Sequence, residues 1–409
     1  MSTVVRSGGI LPQPTRRAIA GARPIGLLNA PPMQFNVAIR LHEYMVARHW
    51  TGGRLIGPDP GVRFNYRIGR FIKSHLPRVD WRDDYYYLQG QGYWTLSNWR
   101  LFHLLGEKKF RDFATTASAS MLEAQRSDGA WEYPNPEWRG RVATVEGTWA
   151  SIGLLETFRR TRQAPFLKAV IRWHRFLVER IRFQSVADTL AANYFADSTG
   201  DVRVPANCSI VLRFLAELVN VTGQQEYAEQ TGGLLRFLQS VQTPSGEFPY
   251  AVSGTARLSR DHFQCYQYNA FLCLDLIRYY ELTRDRQALT LVQRVLSFLS
   301  GGLAADGHAF YACGKAHRAV TYHAAAVAAA LRAGARLGFP ADDLADRAFA
   351  YVLAQQRPDG GFPYSKGDYG VLSDRRSYPR YLAMILFHLL TPGVFAELPP
   401  SEPTRGISN

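Results

Sequence analysis

The chain has 409 residues, 46% of them hydrophobic and 13% aromatic, and carries a formal charge of +14. No apolar run is long enough to span a bilayer, and four cysteines without a CxxC pair do not make a disulfide framework. Nearly all the basic residues are arginine, a field that favours anionic partners. No basic run with interleaved aromatics, zinc-finger spacing or known nucleic-acid module accompanies them, so no nucleic-acid partner is expected.

Residues 1–34 carry Arg and Pro throughout and no continuous apolar stretch. They read as an N-terminal arm, partly disordered or draped over the domain, and not as a secretory leader, which makes a cytoplasmic location the expectation. From about residue 35 one pattern recurs: an apolar helical run, a short polar turn, then a new helix. Its landmarks are Phe110, Phe166, Tyr227, Leu289, Leu344 and Phe395, in steps of 56, 61, 62, 55 and 51 residues. "SIGLLETFRR", "SIVLRFLAELV" and "FLCLDLIRYY" are apolar on more than one face, as inner helices would be. "FRDFATTASASMLEAQ" and "YAEQTGGLLRFLQSVQ" are one-sided, as outer helices would be. Six helical hairpins in sequence bury their inner faces by closing into a ring. The expected fold class is therefore all-α, an (α/α)6 toroid over 35–396 with a disordered tail at 397–409. An open superhelix of hairpins is the alternative.

"QRSDGAWEYP" (125–134) returns as "QTPSGEFPY" (242–250) and "QQRPDGGFPYS" (355–365), with a degenerate copy lacking Gln at "AADGHAFYA" (304–312). Gln closes an outer helix, Gly takes the positive φ of the turn, and the aromatic packs back on the ring. The motif is structural and marks where the loops into the inner helices begin. Chemistry-bearing residues gather in those loops. After Trp131 come Glu132, Tyr133, Arg139, Arg141 and Glu146; after Phe248, Asp261, His262, Tyr266, Tyr268 and Asn269. After Phe310 come Lys315, His317, Arg318, Tyr322 and His323; after Phe362, Asp368, Asp374, Arg375, Arg376, Tyr378 and Arg380.

The Gln–Gly–aromatic pattern resembles the QW repeats of squalene and oxidosqualene cyclases, although neither Asp-x-Asp-Asp nor Asp-Asp-x-x-Asp is present; "WRDDYYY" (81–87) follows its paired Asp with three tyrosines. Two segments resemble glucuronyl C5-epimerases: 86–110, through Gly90, Gln91 and Gly92, and 131–158, through Glu132, Tyr133, Pro134 and Gly147. Glu146 stands where that family has Asn. The resemblance implies a toroid and an enzyme acting on an anionic, uronic-acid-containing saccharide by removing the proton alpha to the carboxylate. Such a reaction needs cations or amides for the developing enediolate, with a base on one face and an acid on the other. The expected catalytic residues are Tyr268, Tyr322, His323, Tyr378 and Glu146; the expected substrate-binding residues are Arg139, Asn269, Arg318, Arg375, Arg380 and Gln91. With a leaving group on the neighbouring carbon the same set would serve a polysaccharide lyase. A glycoside hydrolase would use two opposed carboxylates, from Glu132, Glu146, Asp261, Asp368 and Asp374. A continuous apolar wall would indicate a terpenoid cyclase or prenyltransferase, and the lack of any deep pocket a scaffold. No cofactor is expected; the alternative is zinc on Cys265, Cys313 and His317.

Overall fold

The computed structural model describes residues 32–62, 68–76, 79, 81, 83–254, 259–315 and 318–391. The tail at 397–409, most of the expected arm, the landmark Phe395 and His317 lie outside the described residues. Thirteen helices occur among those described: α1 (Pro32–His49), α2 (Ile68–His75), α3 (Leu88–Leu105), α4 (Lys108–Ala124), α5 (Thr144–Thr161), α6 (Ala164–Phe176), α7 (Pro205–Thr222), α8 (Thr231–Val241), α9 (Cys265–Thr283), α10 (Arg286–Ser300), α11 (Thr321–Arg336), α12 (Asp342–Ala354) and α13 (Pro379–Leu389). Strands are short hairpins in the connections. They are β1–β2 (Trp50–Thr51, Arg54–Leu55), β3–β4 (Phe183–Val186, Thr189–Ala192), β5–β6 (Ala251–Ser253, Ser259–Asp261) and the antiparallel β7–β8–β9 (Ala319–Val320, Ser365–Asp368, Leu372–Asp374).

Six helices form an inner ring. α3, α5, α7, α9, α11 and α13 each pack on the next, and α13 packs back on α3, so the ring closes. α5 and α7 bury residues around nearly their whole circumference, whereas α6 and α10 bury one face, as their sequence patterns require. The outer partners of the first five inner helices are α4, α6, α8, α10 and α12. The sixth hairpin departs from a simple sequential repeat: the outer partner of α13 is α1, from the other end of the chain. Ala38, Leu41 and Met45 of α1 are fully buried, and Gln34 Nε2 donates to Leu389 O at 2.7 Å. The fold is an (α/α)6 toroid closed by its own N-terminal helix.

The repeated motif is the joint between neighbouring outer helices. Gln125 Nε2 donates to Gly129 O in its own turn and to Ala169 O of α6, both at 2.9 Å. Gln242 Nε2 repeats this with Gly246 O (3.0 Å) and Leu291 O of α10 (3.2 Å). Gln356 Nε2 reaches Gly360 O (3.0 Å) and Val37 O of α1 (2.9 Å), so the third copy fastens the ring closure. The turn needs glycine at Gly246, where φ is 90° and a Cβ would overlap the carbonyl of Arg294. Trp131, Phe248 and Phe362 follow, each at most 2% exposed. Gly92, in the segment that resembles the epimerases, serves helix packing: a Cβ there would collide with the Trp149 backbone of α5.

Because each inner helix is followed by an outer one that runs back, all six inner helices point the same way. Their C-terminal end is sealed by ion pairs. Glu217 accepts from Arg159 Nη2 at 2.8 Å and Arg278 Nε at 2.7 Å, which joins α5, α7 and α9, and Arg213 holds Asp275 at 3.1 Å. The space left among these side chains is about 40 Å³. The opposite end, where the six inner-helix N-termini lie, gathers the tyrosines described next, and this tyrosine-lined end is called the bowl below.

Candidate active site

The wall of the N-terminal end is built from tyrosines. Tyr133, Tyr250, Tyr311 and Tyr364 come from the loops after the repeated turn; Tyr87 precedes α3, Tyr194 follows β4, and Tyr268, Tyr322 and Tyr381 stand in the first turns of α9, α11 and α13. Ring centroids lie 5.8 Å apart for Tyr87–Tyr133, 4.8 Å for Tyr250–Tyr268, 4.3 Å for Tyr322–Tyr381 and 5.4 Å for Tyr364–Tyr381. Tyr194, Tyr250, Tyr268, Tyr311 and Tyr381 are half-buried, so these five keep a solvent-facing edge. Burial pushes the hydroxyls of Tyr268, Tyr322 and Tyr381 well above the ordinary phenol range. They are hydrogen-bond donors at neutral pH, not bases.

Arg380 occupies the centre of the tyrosines. Its guanidinium lies 4.1 Å from the Tyr87 ring centroid and 4.7 Å from that of Tyr381, and Nη2 donates to the Tyr381 hydroxyl at 2.7 Å. It pairs in bidentate fashion with Asp59, Nε to Oδ2 at 2.8 Å and Nη2 to Oδ1 at 2.9 Å. Asp59 is wholly buried and also accepts from the Gly61 amide at 2.8 Å.

Glu146 lies beside this pair. It is fully buried in the first turn of α5, and its Oε2 accepts from the Gln89 amide at 2.9 Å, at the N-terminus of α3. Among the described residues Oε1 has no hydrogen-bond partner. Burial pushes its carboxyl up to about 7, against the opposing pull of Arg380 and the Gln89 amide. The carboxyl is therefore divided between acid and base forms near neutrality, the condition for proton transfer in either direction.

The other expected site residues are distributed as follows. Arg318 flanks the tyrosines, 4.4 Å from the Tyr311 ring, with its Nε 2.6 Å from Asp368 Oδ1, which Arg70 also holds at 2.5 Å. His323 is wholly buried and stacked on Tyr311 at 5.7 Å. Burial and Arg318 hold it well below the ordinary imidazole range, so it is neutral. Tyr378 donates to Asp374 Oδ2 at 2.7 Å and is 1% exposed, away from the solvent-facing edge. Gln91 and Asn269 are wholly buried and bonded to backbone: Gln91 to Gly53 O and the Leu55 amide, Asn269 to both backbone groups of Phe248. These two hold the frame of the site. Arg139 and Arg375 are exposed on loops; the Arg375 amide donates to Ser74 Oγ and its carbonyl accepts from Arg357. Cys265 and Cys313 do meet, in company with Glu247 and His262.

Asp59 and most of the tyrosines were not singled out from the sequence. For four of the tyrosines a signal exists: Tyr133, Tyr250, Tyr311 and Tyr364 all stand four residues after the turn glycine (Gly129, Gly246, Gly307, Gly360). Asp59 lies outside the repeats and carries no such mark.

No protein-family model matches the sequence, and no curated protein matches it. Solved structures do match. A possible member of the GH105 family from Salmonella enterica superposes with a TM-score of 0.65, covering 93% of this chain and 98% of that one at 12% identity. The likeness is one of fold. A cellobiose 2-epimerase from Bacillus thermoamylovorans gives 0.61 over 74% of this chain and 86% of that one at 13% identity. An unsaturated glucuronyl hydrolase specific for heparin gives 0.61 over 88% and 95% at 11% identity.

Proposed function

We propose that the protein is a carbohydrate-active enzyme that binds an anionic saccharide in the tyrosine-lined bowl and uses Glu146 as its general acid on a glycosidic oxygen. The observation that carries this reading is Glu146 itself, a buried carboxyl beside a cation–carboxylate pair with its pKa raised to about 7. Tyrosine rings and hydroxyls suit sugars, since the rings cover C–H faces while the hydroxyls donate to ring substituents. Six inner-helix N-termini and a formal charge of +14 favour a negatively charged substrate. The fold is shared with an unsaturated glucuronyl hydrolase, a cellobiose epimerase and a polysaccharide lyase, which supports a saccharide as the substrate. The polar lining argues against a cyclase cavity.

Proton abstraction by Tyr268 or Tyr322 is less well supported, since both phenols are held protonated. His323 is a neutral imidazole and, like Glu146, is wholly buried.

Incubating the protein with acidic oligosaccharides in deuterated water, followed by proton NMR, tests the reading. New reducing ends are expected. Exchange alpha to the carboxylate without cleavage would reassign Glu146 to the base of an epimerase. Neither change with any saccharide tested, and no binding, would remove the carbohydrate reading.

A further inference from the structure

A second cluster of reactive side chains lies where three loops meet at the N-terminus of α9. Glu247 follows the turn glycine Gly246, His262 follows β6, Cys265 is the first residue of α9, and Cys313 sits on the tight turn closed by the Ala312–Lys315 bridge. The ligand atoms of Glu247, His262 and Cys265 all lie within 4.8 Å of one another. Glu247 Oε1 accepts from His262 Nδ1 at 2.9 Å and from Cys313 Sγ at 3.5 Å. The two thiols are near enough to act on each other electrostatically and are free, not joined as a disulfide.

We propose that Glu247, His262, Cys265 and Cys313 bind one zinc ion as a four-ligand structural site. Two thiolates, an imidazole and a carboxylate form a donor set of the borderline-soft kind that zinc takes, and four protein ligands complete its tetrahedron. Zinc bonds of about 2.0–2.3 Å space tetrahedral ligands about 3.3–3.8 Å apart, so Glu247, His262 and Cys265 need only small side-chain adjustments, while Cys313, which meets Glu247 at 3.5 Å but stands outside the mutually close three, has to turn inward to complete the tetrahedron. The turn does not require this chemistry. The residue after the turn glycine is Ala130, His308 or Gly361 in the other copies, and only here is it a carboxylate. Glu247 is 5% exposed and, among the described residues, its ion-pair partner is His262. A buried carboxylate facing two thiols is an arrangement that a divalent cation stabilises.

The ion would tie together loops 66 residues apart, at the edge of the bowl. Phe263 and Gln264, between His262 and Cys265, contact that edge: Phe263 packs 5.6 Å from Tyr250, and Gln264 donates to the Tyr311 hydroxyl at 2.9 Å. Binding displaces the two thiol protons to solvent and changes no oxidation state. The site does not depend on Glu146 or on the saccharide reading.

The test is metal analysis of the full chain purified from zinc-supplemented growth. The proposal predicts about one zinc per chain, X-ray absorption showing two sulfur and two nitrogen or oxygen neighbours, and a tetrahedral thiolate spectrum on cobalt substitution. His262→Ala and Cys313→Ser should each weaken zinc in chelator competition at least about tenfold, since even outer-shell changes cost that much. His308→Ala should leave it unchanged. Because the absorption and cobalt measurements use the unaltered chain, misfolding of a variant cannot decide the outcome. A chain that takes up no stoichiometric zinc would overturn the site. So would unchanged affinity in both ligand variants, or isolation with Cys265 and Cys313 as a disulfide after reductive purification.

Discussion

Burial holds the Glu146 carboxyl protonated over a range in which an unfolded chain would ionise it, and this makes stability depend on pH. Its folded pKa, about 7, lies above the ordinary value of 4.5. Between those limits the native state binds the extra proton, so its contribution is fully present below pH 4.5 and is lost as pH rises through 7. The loss amounts to about 3 kcal/mol. A Glu146→Gln variant keeps the acceptor for the Gln89 amide but has no proton to lose. Urea denaturation at pH 5 and pH 8 should show the natural protein losing about 3 kcal/mol more than the variant; parallel losses would contradict the raised pKa. At this scale the sequence was a partial guide. Glu146, Tyr268, Tyr322 and Arg380 were visible as polar residues at the start of inner helices. Which of them face the bowl depends on helix rotation, and Gln91 and Asn269 could not be told from ligand-binding residues because amides satisfy buried backbone equally well. Asp59 was missed because its partner, Arg380, is 321 residues away.

The element-scale device is the Gln–Gly–aromatic joint. Each Gln bonds two carbonyls, one in its own turn and one on the neighbouring outer helix, so the motif acts between hairpins as well as within one. Gln242→Ala would leave the Gly246 and Leu291 carbonyls without this donor, at a cost of about 1–3 kcal/mol. Gly246→Ala adds a backbone overlap at a positive φ, so it should cost more than Gln242→Ala. Chemical denaturation of the two variants checks both the size and the order; equal stability to the natural protein would sink the joint. The repeat was readable in the sequence because a turn with positive φ demands glycine and a ring demands an aromatic. Its second carbonyl partner was not readable, since that lies on the next hairpin.

For the whole molecule the decisive feature is closure. Six-fold periodicity already called for a ring, because hairpins in a closed circle leave no end face uncovered. That the last gap is filled by α1 was hidden, since nothing in residues 32–49 matches the repeat spacing. Removal of residues 1–49 should therefore expose the faces of α12 and α13 that α1 covers, and scanning calorimetry should show loss of the cooperative transition. A sharp transition near the full-length value would show that α1 is dispensable. The closed ring also fixes where chemistry can occur, since ion pairs fill one end and the tyrosines, Arg380 and Glu146 gather at the other. The central claim is that this bowl is an active site with Glu146 as its acid. The most direct test is the pH dependence of kcat/KM on an acidic oligosaccharide for the natural protein and for Glu146→Gln. The account predicts a rate that falls above about pH 7 in the natural protein, and a loss of roughly 10²–10⁴ in the variant with saccharide binding retained. A variant that turns over like the natural protein, with the same pH profile, would contradict it.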